Sequence, residues 1–302
     1  MPAPLVECVP NFSEGCNAGT IGAILSAIRA VPGARLLDSS SDRDHNRTVV
    51  TIAGSPEAAA EAAFAAIGCA AERIDLRLHK GVHPRIGATD VVPFVPIRDI
   101  SMEGCIALAR ALGRRAGDEL NLPVYLYGEA AARPERKNLS SIRKGEFEAL
   151  AAAIGTDPAL QPDFGPARLG PAGATAIGAR GPLIAFNIYL KTENLGIAKE
   201  VARRIRASSG GLPALQAMGV MAGGRAQVSM NLTDYTHTSI PQAYAAVRTE
   251  AGHLGVAIDC SELIGLIPQA ACRDWRAAEV RLEDFSESMI LECRLRQVGL
   301  IE

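Results

Sequence analysis

The chain has 302 residues, 48% hydrophobic and 21% charged, and its 31 Lys and Arg against 33 Asp and Glu leave a net charge of −2. That balance excludes a disordered polyelectrolyte and gives no electrostatic reason to seek nucleic acid or an anionic membrane as partner. The length suits two domains or one large one, with a core that needs no covalent staple.

In chain order, residues 5–10 form an apolar run that ends in a Pro-Asn turn and predict a strand. Residues 20–31 carry Ile21, Ile24, Leu25 and Ile28 at helical spacing and stop at Pro32-Gly33. Residues 34–38 and 47–53 read as strands, and Ser55-Pro56-Glu57 supplies a cap, a first-turn proline and an early acid for a helix over 58–69. Strands at 91–97 and 123–128 follow. The second half repeats the order: strand 182–190, helix 193–207, strands 215–220 and 226–232, helix 241–254. Each half thus matches most of a βαββαβ unit, and the expected class is α+β: two ferredoxin-like subdomains related by duplication, with helices on one face of an antiparallel sheet and the active site in the cleft between them. Between the halves, residues 156–181 hold many prolines and glycines with little periodicity. They read either as a linker or, because Phe164, Leu169 and Ile177 are interleaved, as a segment lining that cleft.

Seven cysteines, an odd number with no CxxC pair, fit reduced thiols better than a disulfide framework. The opening Met1-Pro2-Ala3-Pro4-Leu5 lacks the features of a signal peptide. The alanine-rich run 58–71 contains Glu61 and is too short to span a bilayer. A soluble, cytoplasmic protein is expected.

Of the five histidines, His79 and His83 lie in a Gly- and Pro-punctuated block, residues 78–90, just before a strand. Their spacing of four would suit a zinc pair on a helix, but Gly81 and Pro84 oppose a helix there and no ligand set completes a site, so no metal is expected. A loop presenting one imidazole with Lys80 and Arg85 beside it suits proton transfer on a carboxylate-bearing substrate; a structural histidine capping the strand is the plainer reading. Polar clusters at 38–48 and 231–239 leave strand ends in the two halves, where turn chemistry and N-capping account for much of their composition. The basic residues Arg133, Arg136, Lys137, Arg143 and Lys144 read by default as a solvated face, with a carboxylate-rich ligand tail as the alternative. Neither a phosphate-binding GxxxxGK[ST] loop nor a GxSxG nucleophile elbow is present.

Several blocks in order resemble the formiminotransferase (glutamate formimidoyltransferase) family: Val6-Glu7-Cys8-Val9-Pro10-Asn11-Phe12-Ser13-Glu14-Gly15, the block 79–90, the stretch 179–187, Gln227-Val228-Ser229-Met230-Asn231-Leu232-Thr233, Pro241-Gln242-Ala243-Tyr244 and Glu262-Leu263-Ile264-Gly265-Leu266-Ile267-Pro268. The resemblance implies an N-terminal subdomain over 1–178, a C-terminal one over 179–302, and the likeness of a monofunctional form to the N-terminal part of formiminotransferase-cyclodeaminase. It implies transfer of the formimino group from N-formimino-L-glutamate to tetrahydrofolate, in histidine degradation and one-carbon metabolism. The catalytic histidine falls on His83, and the folate-binding segment on Gly165, Pro166, Ala167, Arg168, Leu169, Gly170, Pro171, Ala172, Gly173 and Ala174. In the animal enzymes an aromatic stands where this chain has Ala172, and an acid where it has Ser40.

The substrate's carboxylates then need cations, for which Arg47, Lys80, Arg85 and Arg180 are candidates; Asn11, Asn46, Asn187 and Asn231 are candidate amide ligands. Tetrahydrofolate is expected as co-substrate without a metal, a homodimer as the assembly, and a separate cyclodeaminase downstream. An N-formylglutamate-dependent formyltransferase and a non-catalytic folate-binding regulator are the competing readings.

Overall fold

The computed structural model describes residues 3–302; Met1 and Pro2, part of the N-terminal reading, lie outside the described residues. The chain divides between Arg180 and Gly181 into two compact units.

The first unit runs β1 (Leu5–Cys8), β2 (Asn11–Phe12), α1 (Ala18–Arg29), β3 (Arg35–Asp42), β4 (Arg47–Gly54), α2 (Pro56–Arg73), β5 (Thr89–Arg98), α3 (Met102–Leu120), β6 (Val124–Gly128), α4 (Leu139–Ile142), α5 (Glu146–Ala153) and β7 (Thr175–Ala179). The caps follow the sequence: Asn17 accepts the Gly19 and Thr20 N–H groups at α1, and Ser55 accepts that of Ala58 at α2 with Pro56 in the first turn. Across the sheet the strands lie β3-β4-β1-β5-β7-β6, with the short β2 also pairing β4 and β5. Val6, Cys8, Val50, Ile52, Val92 and Phe94 point toward α1, α2 and α3, each fully buried. Burial of an aliphatic or aromatic side chain of this kind contributes roughly 1.5–3 kcal/mol. The alternate residues face the other way, and at the β5–β7–β6 end Val91, Tyr125, Tyr127 and Ala176 pack there on Leu150 and Ile154.

Two features depart from expectation. The sheet is mixed, not antiparallel throughout, because β7 pairs in parallel with both β5 and β6. That strand lies inside the breaker-rich segment 156–181, all five of its residues buried. It is built of small residues: a Cβ at Gly178 would sit 2.3 Å from the Tyr127 carbonyl oxygen. The second departure is α3, whose buried stripe is Cys105, Ala109, Leu112, Gly113, Ala116 and Gly117. Gly117 admits the chain at Gly165, whose backbone nitrogen would lie 2.6 Å from a Cβ there.

The second unit runs β8 (Ile184–Leu190), α6 (Leu195–Ile205), β9 (Leu215–Ala222), β10 (Arg225–Leu232), α7 (Ile240–His253), β11 (Ile258–Ile264) and α8 (Leu291–Gln297). Its strands lie β11-β8-β10-β9, all antiparallel. Gly223 and Gly224, both at positive φ (56° and 71°), make the two-residue turn between β9 and β10. Ser239 and Gln242 form a capping box that starts α7. Ile184, Phe186, Ile188 and Leu190 alternate with Ala185, Asn187 and Tyr189 and pack with Val228 and Met230 on α6 and α7. Strand β11, for which the sequence supplied only a motif, completes a βαββαβ unit with the same pairing order as β1, β3, β4 and β5 in the first unit.

Candidate active site

The loop 74–88 joins α2 to β5 and carries His79 and His83. Its base is fixed by polar groups near β5: Asp90 Oδ1 accepts the Ile86 N–H (2.8 Å), while Ser13 donates its hydroxyl to the Gly87 carbonyl (2.7 Å) and its N–H to the Ala88 carbonyl (2.9 Å). Its other partner is the segment 165–174. Leu76 N–H donates to the Pro171 carbonyl (2.8 Å), Ala88 N–H to that of Ala172 (2.8 Å), and Ala174 N–H to that of Ile86 (2.9 Å). Gly87 and Gly173 cross at the centre of this ladder. The segment that the resemblance assigns to folate and the loop that bears the histidines are therefore one hydrogen-bonded construction.

His83 is half-buried, its ring centroid 6.5 Å from that of His45. Burial, then the positive charges of Arg47 and Arg143, then His45 and His79, hold its pKa well below the ordinary 6.5. The imidazole is therefore neutral at pH 7. Among the described residues the other four histidines are engaged. His45 Nδ1 pairs with Asp42 (2.7 Å), and His237 Nδ1 with Asp234 (2.8 Å). His253 Nδ1 lies 3.6 Å from Glu250, and both ring nitrogens of His79 are hydrogen-bonded. Among the described residues His83 has neither ring nitrogen hydrogen-bonded and no carboxylate paired with it.

The other candidate ligands divide between the two units. Arg47 sits on β4 opposite Asp42, on the sheet face away from the helices, and its charge acts on both Asp42 and His83. Asn11 stands opposite Val49 on that face, its amide donating to the Val9 carbonyl (3.0 Å). Asn46 and Lys80 meet directly, the Asn46 amide donating to the Lys80 carbonyl (2.8 Å). Arg180 reaches Tyr127, whose hydroxyl is pushed up by burial although Arg180 and Arg143 act against it. Arg85 is committed elsewhere: only 8% exposed, it bonds Glu146 (2.6 Å), Glu148 (2.7 Å) and His79 Nδ1 (3.2 Å). In the second unit, Asn187 donates to Glu262 (3.2 Å), and Asn231 lies on β10 opposite Ala185 and Gln216.

Two residues that act on His83 were not singled out from sequence. Arg143, within the run read by default as a solvated face, pairs with the buried Asp90 and keeps its Nε buried without a hydrogen-bond partner. Its run is otherwise largely structural, Arg136 being buried on Asp163 (3.0 Å) and Lys137 paired with Glu129 (3.1 Å). His45, within a cluster explained by turn chemistry, packs beside His83. The spacing of cations in sequence carried the only available signal for Arg143.

Comparison with known proteins identifies the family. Residues 5–180 match the model of the formiminotransferase domain, N-terminal subdomain, and residues 185–300 that of the formiminotransferase domain. The chain is 46% identical to the glutamate formimidoyltransferase of Thermoplasma acidophilum over 302 residues, 99% of each chain. It is 43% identical to that of Streptococcus pyogenes serotype M1 over 97% of this chain and 99% of the relative. With the formimidoyltransferase-cyclodeaminase of Rattus norvegicus it shares 46% identity over 89% of its own length and 51% of the relative's. Both halves matched and near-full-length identity of this order lead to one conclusion: the chain belongs to the formiminotransferase family.

Proposed function

We infer that the chain transfers the formimino group from N-formimino-L-glutamate to tetrahydrofolate, releasing L-glutamate, with His83 as the proton carrier. Family membership and the names of the near-full-length relatives support the reaction. The observation that supports the residue is a half-buried imidazole with no hydrogen bond among the described residues, kept neutral by burial and by the charges of Arg47 and Arg143. As the folate nitrogen attacks the amidine carbon, it must lose a proton, and the glutamate nitrogen must gain one before it can leave. A neutral imidazole takes the first and returns the second; misdirection of that proton would expel ammonia instead. Arg47 and Arg143 offer cations to the donor's carboxylates, and the buried, unpartnered Arg143 Nε is a donor suited to that use. The segment 165–174, tied to the histidine loop, is the proposed folate contact. Among the described residues no cluster of three or more His, Cys, Asp or Glu side chains suits a metal ion. The common βαββαβ pairing order of the two units supports reading them as a ferredoxin-like duplication.

Two measurements follow. With purified protein and tetrahydrofolate, glutamate release is expected from N-formimino-L-glutamate. Release from N-formyl-L-glutamate alone would establish the formyltransferase instead, and binding of folate with no turnover on either donor would establish a non-catalytic protein. The pH dependence is the second. His83 must be neutral to act as base, and its pKa in the free protein is depressed, so kcat/KM should hold constant from pH 7 down past 6.5 before it falls. A dicarboxylate bound beside Arg47 and Arg143 cancels charges that depress this pKa, so the acid limb of kcat should lie at higher pH than that of kcat/KM. An acid limb of kcat/KM at or above 6.5 would contradict the assignment.

A further inference from the structure

We propose that Asn46 is a positioning residue, tying three loops together so that the backbone on one side of His83 is fixed, and that it is not a substrate ligand. The proposal rests on the reading of His83 as proton carrier. Because the His83 ring makes no hydrogen bond among the described residues, its place depends on the chain flanking it, and Asn46 is where that chain is fastened.

Asn46 occupies the tip of the β3–β4 hairpin with φ +47°, a left-handed conformation that asparagine tolerates better than most residues. Its Oδ1 accepts the Gly15 N–H (2.8 Å) from the loop after β2, and its Nδ2 donates to the Lys80 carbonyl (2.8 Å) in the histidine loop. The opposite amide orientation would set N–H against N–H and oxygen against oxygen, so the two bonds define the orientation between them. The Asn46 carbonyl lies 3.0 Å from His79 Nε2. Arg85 Nε–H donates to His79 Nδ1, so that nitrogen is unprotonated and Nε2 carries the proton given to Asn46. Arg85 is in turn clamped by Glu146 and Glu148 of α5. Two residues beyond Lys80, Val82 N–H donates to the Asp44 carbonyl (3.1 Å). The stretch 79–82 is thereby fastened to the hairpin by three bonds, and His83 is the next residue.

The glycines of this junction agree. A Cβ at Gly15 would lie 2.1 Å from the Asp42 carbonyl oxygen; one at Gly81 would lie 2.5 Å from that of His45 and 2.8 Å from Asn46 Cβ. The loops approach closely enough that only glycine fits at either position. Each amide atom of Asn46 spends one of its hydrogen bonds in this junction, which holds the amide in place between the two loops.

Asn46→Gly tests this, because glycine adopts the same left-handed backbone without strain and removes only the amide. A misplacement of the catalytic ring by about 1 Å costs up to about 100-fold, so kcat should fall roughly 10- to 100-fold, with KM for both substrates within about threefold of wild type. The charged and titratable groups around His83 are Arg47 of β4, Arg143 beyond α4, His45 of the hairpin and His79 of its own loop. With all of them retained, a loosened loop admits water, and the His83 titration followed by NMR in the substrate-free protein should move up toward 6.5. Gly81→Ala, which wedges the same loops apart from the other side, should move it likewise. An unshifted titration in both variants overturns the positioning role whatever the rate. A raised KM with unchanged kcat also overturns it, making Asn46 a ligand. A shifted titration with wild-type turnover supports the positioning and overturns the proton-carrier reading instead.

Discussion

Replacing His83 with alanine should lower kcat by roughly 10²–10⁴-fold, the usual worth of a positioned acid–base group, while leaving folate binding nearly intact. The size follows from the chemistry: one group must accept the proton of the attacking nitrogen and deliver it to the departing one. The neighbouring imidazoles are already engaged. His45 is turned to Asp42, and His79 already spends both nitrogens between Arg85 and the Asn46 carbonyl. His79→Ala is therefore the control. It touches the loop but not the reacting atoms, and its loss should be much smaller; equal losses would indicate a site that works as a histidine pair. Folate affinity, measured by direct titration, should be within a few-fold of wild type in both variants.

Gly87→Ala should be the most damaging single methyl group in the first unit. A Cβ at this position would lie 1.7 Å from the Ala174 carbonyl oxygen and 2.8 Å from its carbonyl carbon, both main-chain atoms that no rotamer change can move. The ladder that joins Ile86 and Ala88 to Ala172 and Ala174 must then open. Overpacking of this kind typically costs about 1–3 kcal/mol, which a lowered melting temperature would register. The sharper consequence is functional. If segment 165–174 contacts folate and loop 74–88 carries the proton, parting them should raise KM for tetrahydrofolate and lower kcat together. A variant that melts early yet keeps both constants would separate this ladder from catalysis.

Much of the architecture was legible because large side chains announced it. Ile21, Ile24 and Ile28 mark α1, and the alternation through Phe186, Ile188 and Leu190 marks β8. What was hidden was made of small residues. The stripe of α3 uses Cys105, Ala109, Gly113 and Gly117, and β7 reads Thr-Ala-Ile-Gly-Ala, so neither produces the contrast on which periodicity depends. The mixed character of the first sheet went unseen with them. At the candidate site, the loop containing His83 drew notice by its composition, His, Lys and Arg gathered between Gly and Pro. The division of labour among its cations could not. Arg85 sits two residues from His83 in sequence, yet its guanidinium is held by Glu146 and Glu148, about 60 residues away, whereas Arg143, equally distant in sequence, acts on the imidazole. Burial and partners decide which cation is available, and neither is a local property of the chain.

The most direct test of the central claim is glutamate release by the His83→Ala protein, followed against the concentration of added imidazole. The account predicts turnover reduced by at least about 100-fold, rising as neutral imidazole is supplied to the space the side chain leaves. Wild-type turnover in that variant with no imidazole present would contradict it.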